Sequence, residues 1–245
     1  MLTVVSYNVH ECVGTDGRRD LDRIARVIQE LNADIVGLQE VDFSPLEVNK
    51  SHQLNYLAAA TGLHAVAGPT IQRVNAEFGN ALLTRPEINT LQLHDVSFPG
   101  RQPRGVIDAV IAFEGKIVRV LVTHLGLHAR ERKHQVRLLL RILSQDQEND
   151  CTVLLGDINE WRPQGFAIRM LNARLGRGIS ARTFPSVYPV FALDRLWVSP
   201  RTALVEKMIP HHRLARVASD HLPIRAVIDL SNGSASDTWE FSPDK

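Results

Sequence analysis

The segment Val106-Ile107-Asp108-Ala109-Val110-Ile111-Ala112-Phe113-Glu114-Gly115-Lys116-Ile117-Val118-Arg119-Val120-Leu121-Val122-Thr123-His124 decides the fold class of this chain. Two β-like runs, Gly105–Phe113 and Ile117–His124, are linked by Glu114-Gly115-Lys116, a hairpin signal. From Ile117 to Val122 the second run is nearly all apolar, which predicts a strand covered on both faces. After it, Ala129–Gln145 carries Val136, Leu139, Leu140 and Leu143 on one helical stripe, and Thr152–Gly156 is again a short apolar run. Hairpin and crossover patterns side by side favour mixed sheets flanked by helices over a purely parallel, doubly wound sheet.

The same alternation extends outward. Leu2–Val9, Asp34–Val41, Phe78–Thr84, Ala192–Ser199 and Leu222–Leu230 read as further strands. Asp20–Asn32 places Leu21, Ile24, Ala25, Val27, Ile28 and Leu31 close to a 3.6-residue period, with Asp20 as its cap. Gln53–Thr61 reads as a shorter helix stopped by Gly62. Phe166–Leu175 reads as another, opened by Pro163. There is no internal repeat. The expectation is one domain over residues 1–230, followed by a polar, flexible tail at 231–245.

Of the 245 residues, 44% are hydrophobic and 22% charged, as in a soluble globular protein. Lys plus Arg number 28 against 27 Asp plus Glu, so the net charge is +1. That excludes the basic excess of a protein that grips long DNA by neutralising phosphates, although a local basic patch stays compatible with it. The basic residues Arg130, Arg132, Lys133, Arg137 and Arg141 read as a solvated helix face. Cys12 and Cys151 form no CxxC or zinc pattern and read as small buried residues. No signal-peptide pattern and no run of membrane-spanning length is present, so a reducing, cytoplasmic setting without an integral membrane segment is expected.

Polar groups recur where apolar runs end. Asn8 follows Val4–Tyr7, Glu40 follows Ile35–Gln39, His124 follows Val120–Thr123, and Asp157 and Asn159 follow Val153–Gly156. Asp220-His221 follows Val217–Ser219, and Asp194 interrupts the run Phe191–Val198. An ionisable group in a buried strand is costly unless it is paired. One alone reads as a satisfied core group. Six at strand ends read as a site, because strand ends bring side chains from distant segments onto a rigid frame. The set is rich in hard oxygen donors, with two histidines and no thiolate. Such donors suit Mg²⁺ or Mn²⁺ better than zinc, and those ions commonly serve phosphate chemistry.

Ser6-Tyr7-Asn8-Val9, Leu38-Gln39-Glu40, Gly79-Asn80-Ala81-Leu82-Leu83, Thr123-His124-Leu125, Gly156-Asp157-Ile158-Asn159 and Ser219-Asp220-His221 together resemble the signature of the endonuclease/exonuclease/phosphatase superfamily. That superfamily includes pancreatic-type deoxyribonuclease, abasic-site endonucleases, bacterial sphingomyelinases and inositol polyphosphate 5-phosphatases. The resemblance implies a four-layer α/β sandwich, two mixed sheets face to face with helices outside and the site at one edge. It implies Glu40 as a direct metal ligand with Asn8 and Asp220 close by, and Asp157 and Asn159 positioning water and phosphate. It implies His221 as the base, held by Asp194, and His124 as donor to a non-bridging phosphate oxygen. These roles fit the chemistry of the residues: imidazole titrates near neutrality, and a carboxylate on its far nitrogen fixes the tautomer.

Plainer readings stand beside these. Asn8 would also make an Asx turn, and Asp194 would also pair with Arg195. Arg104 and Asn80 are candidate substrate contacts that would equally serve a surface strand and a bulge. His211, His212, Arg213 and Arg216 would line an entrance or simply be solvated. Three functions follow: a phosphodiesterase acting on nucleic acid or on a small or lipid phosphodiester; a phosphomonoesterase; and a non-catalytic binding protein that keeps the fold. No aromatic-rich hairpin for membranes is evident. Thr183-Phe184-Pro185-Ser186-Val187-Tyr188-Pro189 is the most distinctive local segment, and it resembles a motif of compact bacterial members.

Overall fold

A computed structural model describes residues 1–43, 53–73, 76–145 and 148–232. Its strands are β1 (Leu2–Asn8), β2 (Ile35–Asp42), β3 (His64–Arg73), β4 (Ala76–Thr84), β5 (Ile88–Asp95), β6 (Gly105–Phe113), β7 (Lys116–His124), β8 (Cys151–Asp157), β9 (Ile179–Ser180), β10 (Asp194–Ser199), β11 (Leu204–Met208) and β12 (Ile224–Ile228). The helices are α1 (Leu21–Leu31), α2 (Gln53–Thr61), α3 (Ala129–Leu143), α4 (Phe166–Leu175) and α5 (Arg213–Ala218).

Two six-stranded sheets form, in the orders β11-β12-β1-β2-β4-β3 and β5-β6-β7-β8-β10-β9. Both are mixed. The pairs β1–β2 and β7–β8 are parallel, each joined through a helix, and their other neighbours are antiparallel. Strand alternation builds three apolar layers from this arrangement. Leu2, Val4, Val118, Val120, Val122, Val153 and Leu155 pack between the sheets. Val5, Tyr7, Val36 and Leu38 face α1 and α2, whereas Leu121 and Leu154 face α3 and α4. The result is the four-layer α/β sandwich. β7 is covered on both faces, as its unbroken apolar run predicts.

The helix signals hold. Asp20 accepts from Arg23 N at 3.0 Å at the start of α1, and Gly62, at φ +68°, closes α2. α4 spans Phe166–Leu175 as expected, although Gly165 rather than Pro163 stands at its start and Pro163 lies in the preceding turn. Four strands carry no readable signal. β5 is largely exposed, β11 is an exposed edge, β9 has two residues, and β3 is an edge strand interrupted by Pro69. Proline is tolerated there because an edge strand leaves half its N–H groups unpaired.

One surface expectation is corrected. Arg132 is buried rather than solvated: its Nη1 donates to the Gly126 and Leu127 carbonyls, and its Nη2 lies 3.3 Å from Glu160 Oε1. Arg130, Lys133, Arg137 and Arg141 are exposed. Cys12 and Cys151 are free and buried. Among the described residues no helix is long and apolar enough to cross a membrane. Of the expected flexible tail, residues 233–245 lie outside the described residues.

Candidate active site

The predicted polar residues meet at one rim of the sandwich. β1 ends at Asn8, β7 at His124 and β8 at Asp157, while β10 begins at Asp194. The register sets His124 beside Asp157 and Asp157 beside Asp194. Glu40 sits in a bulge of β2 with φ +58°, which turns its side chain toward the rim. Gly156 adopts φ +144°, and a Cβ there would lie 1.8 Å from Thr123 O. Only glycine lets β8 run that close to β7 and present Asp157.

Asn8 fulfils two readings at once. Its Oδ1 accepts from His10 N at 3.1 Å, making the Asx turn. Its Nδ2 donates to Glu40 Oε1 at 2.9 Å and to Asp157 Oδ2 at 3.2 Å. Asp157 Oδ2 is the hub, 3.6 Å from His124 Nε2 and 3.9 Å from His221 Nε2. Donor atoms of Glu40, His124 and Asp157 lie within 4.8 Å of one another, as do those of Asp157, Asp194 and His221.

His221 Nδ1 lies 2.8 Å from Asp194 Oδ2, and both residues are buried. Thr183 Oγ1 donates to the same carboxylate oxygen, and the Phe184 ring lies against the imidazole with centroids 4.8 Å apart. Arg195 donates to the Asp194 carbonyl, so the carboxylate serves His221 instead of a local ion pair. Burial opposes charge on His221, but the Asp194 carboxylate and its hydrogen bond, with Asp157 behind, push its pKa up to about 10. Burial raises the Asp157 pKa, and the Asp194 charge adds to that rise.

His124 takes the opposite shift. Burial, then the Arg104 and His221 charges, hold its pKa well below the ordinary histidine value. Arg104 Nη1 lies 3.0 Å from His124 Nδ1. Both ring nitrogens face a group that can only donate, and a neutral imidazole accepts at one of them; the charged guanidinium is the stronger donor, which favours acceptance at Nδ1 and the ring proton on Nε2. Asn159 Nδ2 donates to Leu125 O at 2.9 Å and lies 3.0 Å from that Nε2, where in this tautomer the two N–H groups face each other rather than form a hydrogen bond. Two N–H donors therefore converge at the cavity.

That cavity is about 340 Å³ and is lined by Glu40, Asn80, Arg104, His124, Asp157 and His221, with Trp161 and Phe184 forming an aromatic wall. Asn80 is buried and donates to Gly105 O at 3.0 Å; Arg104 is buried and also holds Gln102. Asp220 is set apart. Its Oδ1 lies 3.7 Å from His10 Nδ1, and its carboxylate does not join the converging set. Sequence reasoning gave no role to Thr183, Phe184 or Trp161. The unusual Thr183–Pro189 segment was a pointer to the first two, but not to what they touch.

A family model described as Endonuclease/Exonuclease/phosphatase family matches residues 5–221. The chain belongs to that family. Members of the endonuclease/exonuclease/phosphatase family are generally phosphoesterases. Over 243 residues the chain is 30% identical to the uncharacterised protein YbhP of Escherichia coli (strain K12), spanning 93% of this chain and 96% of that protein. Two solved structures of the same family share the fold. The protein from Beutenbergia cavernae has a TM-score of 0.73 at 23% identity, covering 92% of this chain and 70% of that one. The protein from Leptotrichia buccalis has a TM-score of 0.74 at 17% identity, covering 94% and 100%.

Proposed function

We propose that the protein is a divalent-metal-dependent phosphodiesterase in which His221 activates water for attack on phosphorus. The observation that carries this reading is the buried Asp194–His221 pair, with the open Nε2 facing Asp157 at 3.9 Å.

The donor set fits a hard divalent ion. Half-buried Glu40 and buried Asp157 turn carboxylate oxygens toward one another with only the imidazoles of His124 and His221, and no Lys or Arg, as salt-bridge partners among the described residues, a cluster of oxygen donors that a divalent ion would bring together. Glu40 and Asp157 would hold the ion. Asn8, which presents its N–H group to both, would fix their orientation; the ligand role expected for Asp220 has less geometric support. When bound, Mg²⁺ or Mn²⁺ offsets charge on the phosphoryl and leaving oxygens.

The protein's own groups perform the rest. His221 Nε2 takes the proton of a water whose oxygen forms the new bond to phosphorus as the ester P–O bond breaks. Asp194 fixes the tautomer and stabilises the imidazolium. His221 acts as base near neutrality only when part of the surrounding negative field is neutralised, and a cation held by Asp157 would lower its proton affinity in that way. A non-bridging phosphate oxygen seated between His124 Nε2–H and the Asn159 N–H would accept from both, which matches the charge that builds there. Arg104 keeps His124 in the donating tautomer, and Phe184 shields the His221 ring from solvent.

The test is hydrolysis of bis(4-nitrophenyl) phosphate, abasic and intact DNA, RNA and phospholipid with Mg²⁺, Mn²⁺ or EDTA. His221→Ala is expected to lower kcat by about 10²–10⁴-fold, the usual worth of a general base. Metal-dependent activity that survives this substitution would remove His221 from the mechanism.

A further inference from the structure

The cleft continues past its aromatic wall. Leu127 and Trp161 line the catalytic cavity and also a second one, of about 620 Å³, between the start of α3 and the segment that opens α4. Among its described lining residues are Arg132, Lys133, Arg162 and Arg169, against one carboxylate, Glu160. Glu160 is already engaged by Arg132, and both are buried. That buried pair, with the Arg132 bonds to Gly126 O and Leu127 O, fixes the wall between the two cavities. Lys133, Arg162 and Arg169 are exposed and leave the hollow with a positive surplus. In a chain of net charge +1, this is local segregation rather than bulk basicity.

Trp161 stands on the shared rim, 44% exposed, braced edge-on by Phe191 at 4.8 Å. A cationic groove with an aromatic side chain along it is the combination that holds single-stranded nucleic acid, where phosphates alternate with flat bases. The hollow is concave, so it suits a group that protrudes from a flexible strand more than the plane of a bilayer.

Building on the catalytic reading above, we infer that this cavity is a second phosphate site. It takes a phosphate neighbouring the scissile one in a single-stranded nucleic acid, with the intervening nucleoside against Trp161. Lys133, Arg162 and Arg169 supply the charge, and Arg132–Glu160 holds the floor. A substrate with one phosphate and no chain leaves the cavity empty.

The experiment compares the wild-type protein with the double variant Arg162→Gln/Arg169→Gln, neither residue being part of the catalytic centre. KM for oligothymidylate is expected to rise about tenfold or more, as charge-assisted contacts are lost. The log–log salt dependence of oligothymidylate binding should become shallower by about one to two. Turnover of bis(4-nitrophenyl) phosphate and the melting temperature should not change. An unaltered KM and salt slope in the folded variant would overturn the assignment. So would a variant that loses binding to phosphatidylglycerol vesicles while keeping the strand, which would make this face a membrane contact. A wild-type protein that cleaves bis(4-nitrophenyl) phosphate but neither binds nor cleaves oligothymidylate would overturn it as well. Anisotropy of labelled oligothymidylate reads the cavity independently of turnover. Failure on bis(4-nitrophenyl) phosphate with strand binding intact would therefore count against the catalytic reading alone.

Discussion

Asp194 places one carboxylate oxygen on His221 and Thr183, while its other oxygen is buried with no hydrogen-bond partner among the described residues. Most of its charge is therefore felt by the imidazole. Because the His221 pKa rises from 6.5 to about 10 on folding, the pair's contribution to stability is full below pH 6.5 and is lost as pH rises through about 10. The raised pKa of Asp157 acts with the same sign but between pH 3.8 and about 7, so it is lost before the window in which His221 acts. In EDTA the melting temperature should therefore fall from pH 7 to pH 10, and Asp194→Asn should flatten that fall. A profile as steep in the variant as in the wild type would mean that the pair does not set it. Asn8, Glu40, His124, Asp157, Asp194 and His221 were legible because each breaks an apolar run. Trp161, Phe184 and Phe191 were not, since nothing in their sequence spacing tells that the three rings meet. The burial of Arg132 was equally hidden, because a basic residue on a helix declares itself buried only through a partner 28 positions away.

At the scale of elements, the approach of β8 to β7 governs the site. Gly156→Ala would place a methyl group against a backbone oxygen at a positive φ. A cost of about 3 kcal/mol or more is expected, combining backbone strain with the clash. Urea unfolding would measure it, and a loss below about 1 kcal/mol would show that β7 and β8 part easily. The central strands were readable because burial on both faces leaves an unbroken Val, Ile and Leu pattern. The edge strands β3, β5 and β11 were missed for the converse reason. Their side chains meet solvent, so little constrains their polarity, and their pairing is set by neighbours distant in sequence. The hairpin at Glu114-Gly115 and the caps Asp20 and Gly62 were readable because each needs a particular local chemistry.

For the whole molecule, the candidate metal ligands straddle the two sheets, Glu40 on β2 of one and Asp157 on β8 of the other. Metal binding should therefore stabilise the native state by mass action, by about 2.7 kcal/mol at a hundredfold excess over Kd. Calorimetry with and without Mg²⁺ or Mn²⁺ would show it as a rise in melting temperature. Glu40→Gln should remove most of that rise, and an equal rise in the variant would place the ion elsewhere. Mixed sheets flanked by helices were legible from the mixture of hairpins and crossovers, and the sandwich from the family resemblance, but the strand order was not, because long-range pairing leaves no local trace.

That order is nested. The second sheet is built wholly from residues 88–199, while the first draws on β1 to β4 and then on β11 and β12. Leu2 has Ile228 as its antiparallel neighbour. A ribosome must therefore deliver the chain as far as Ile228 before β1 has both its neighbours. His221 emerges only just before the strand that closes this frame. During synthesis the inner sheet can be assembled while the outer one still waits, so the candidate site cannot be complete before His221 and β12 have emerged.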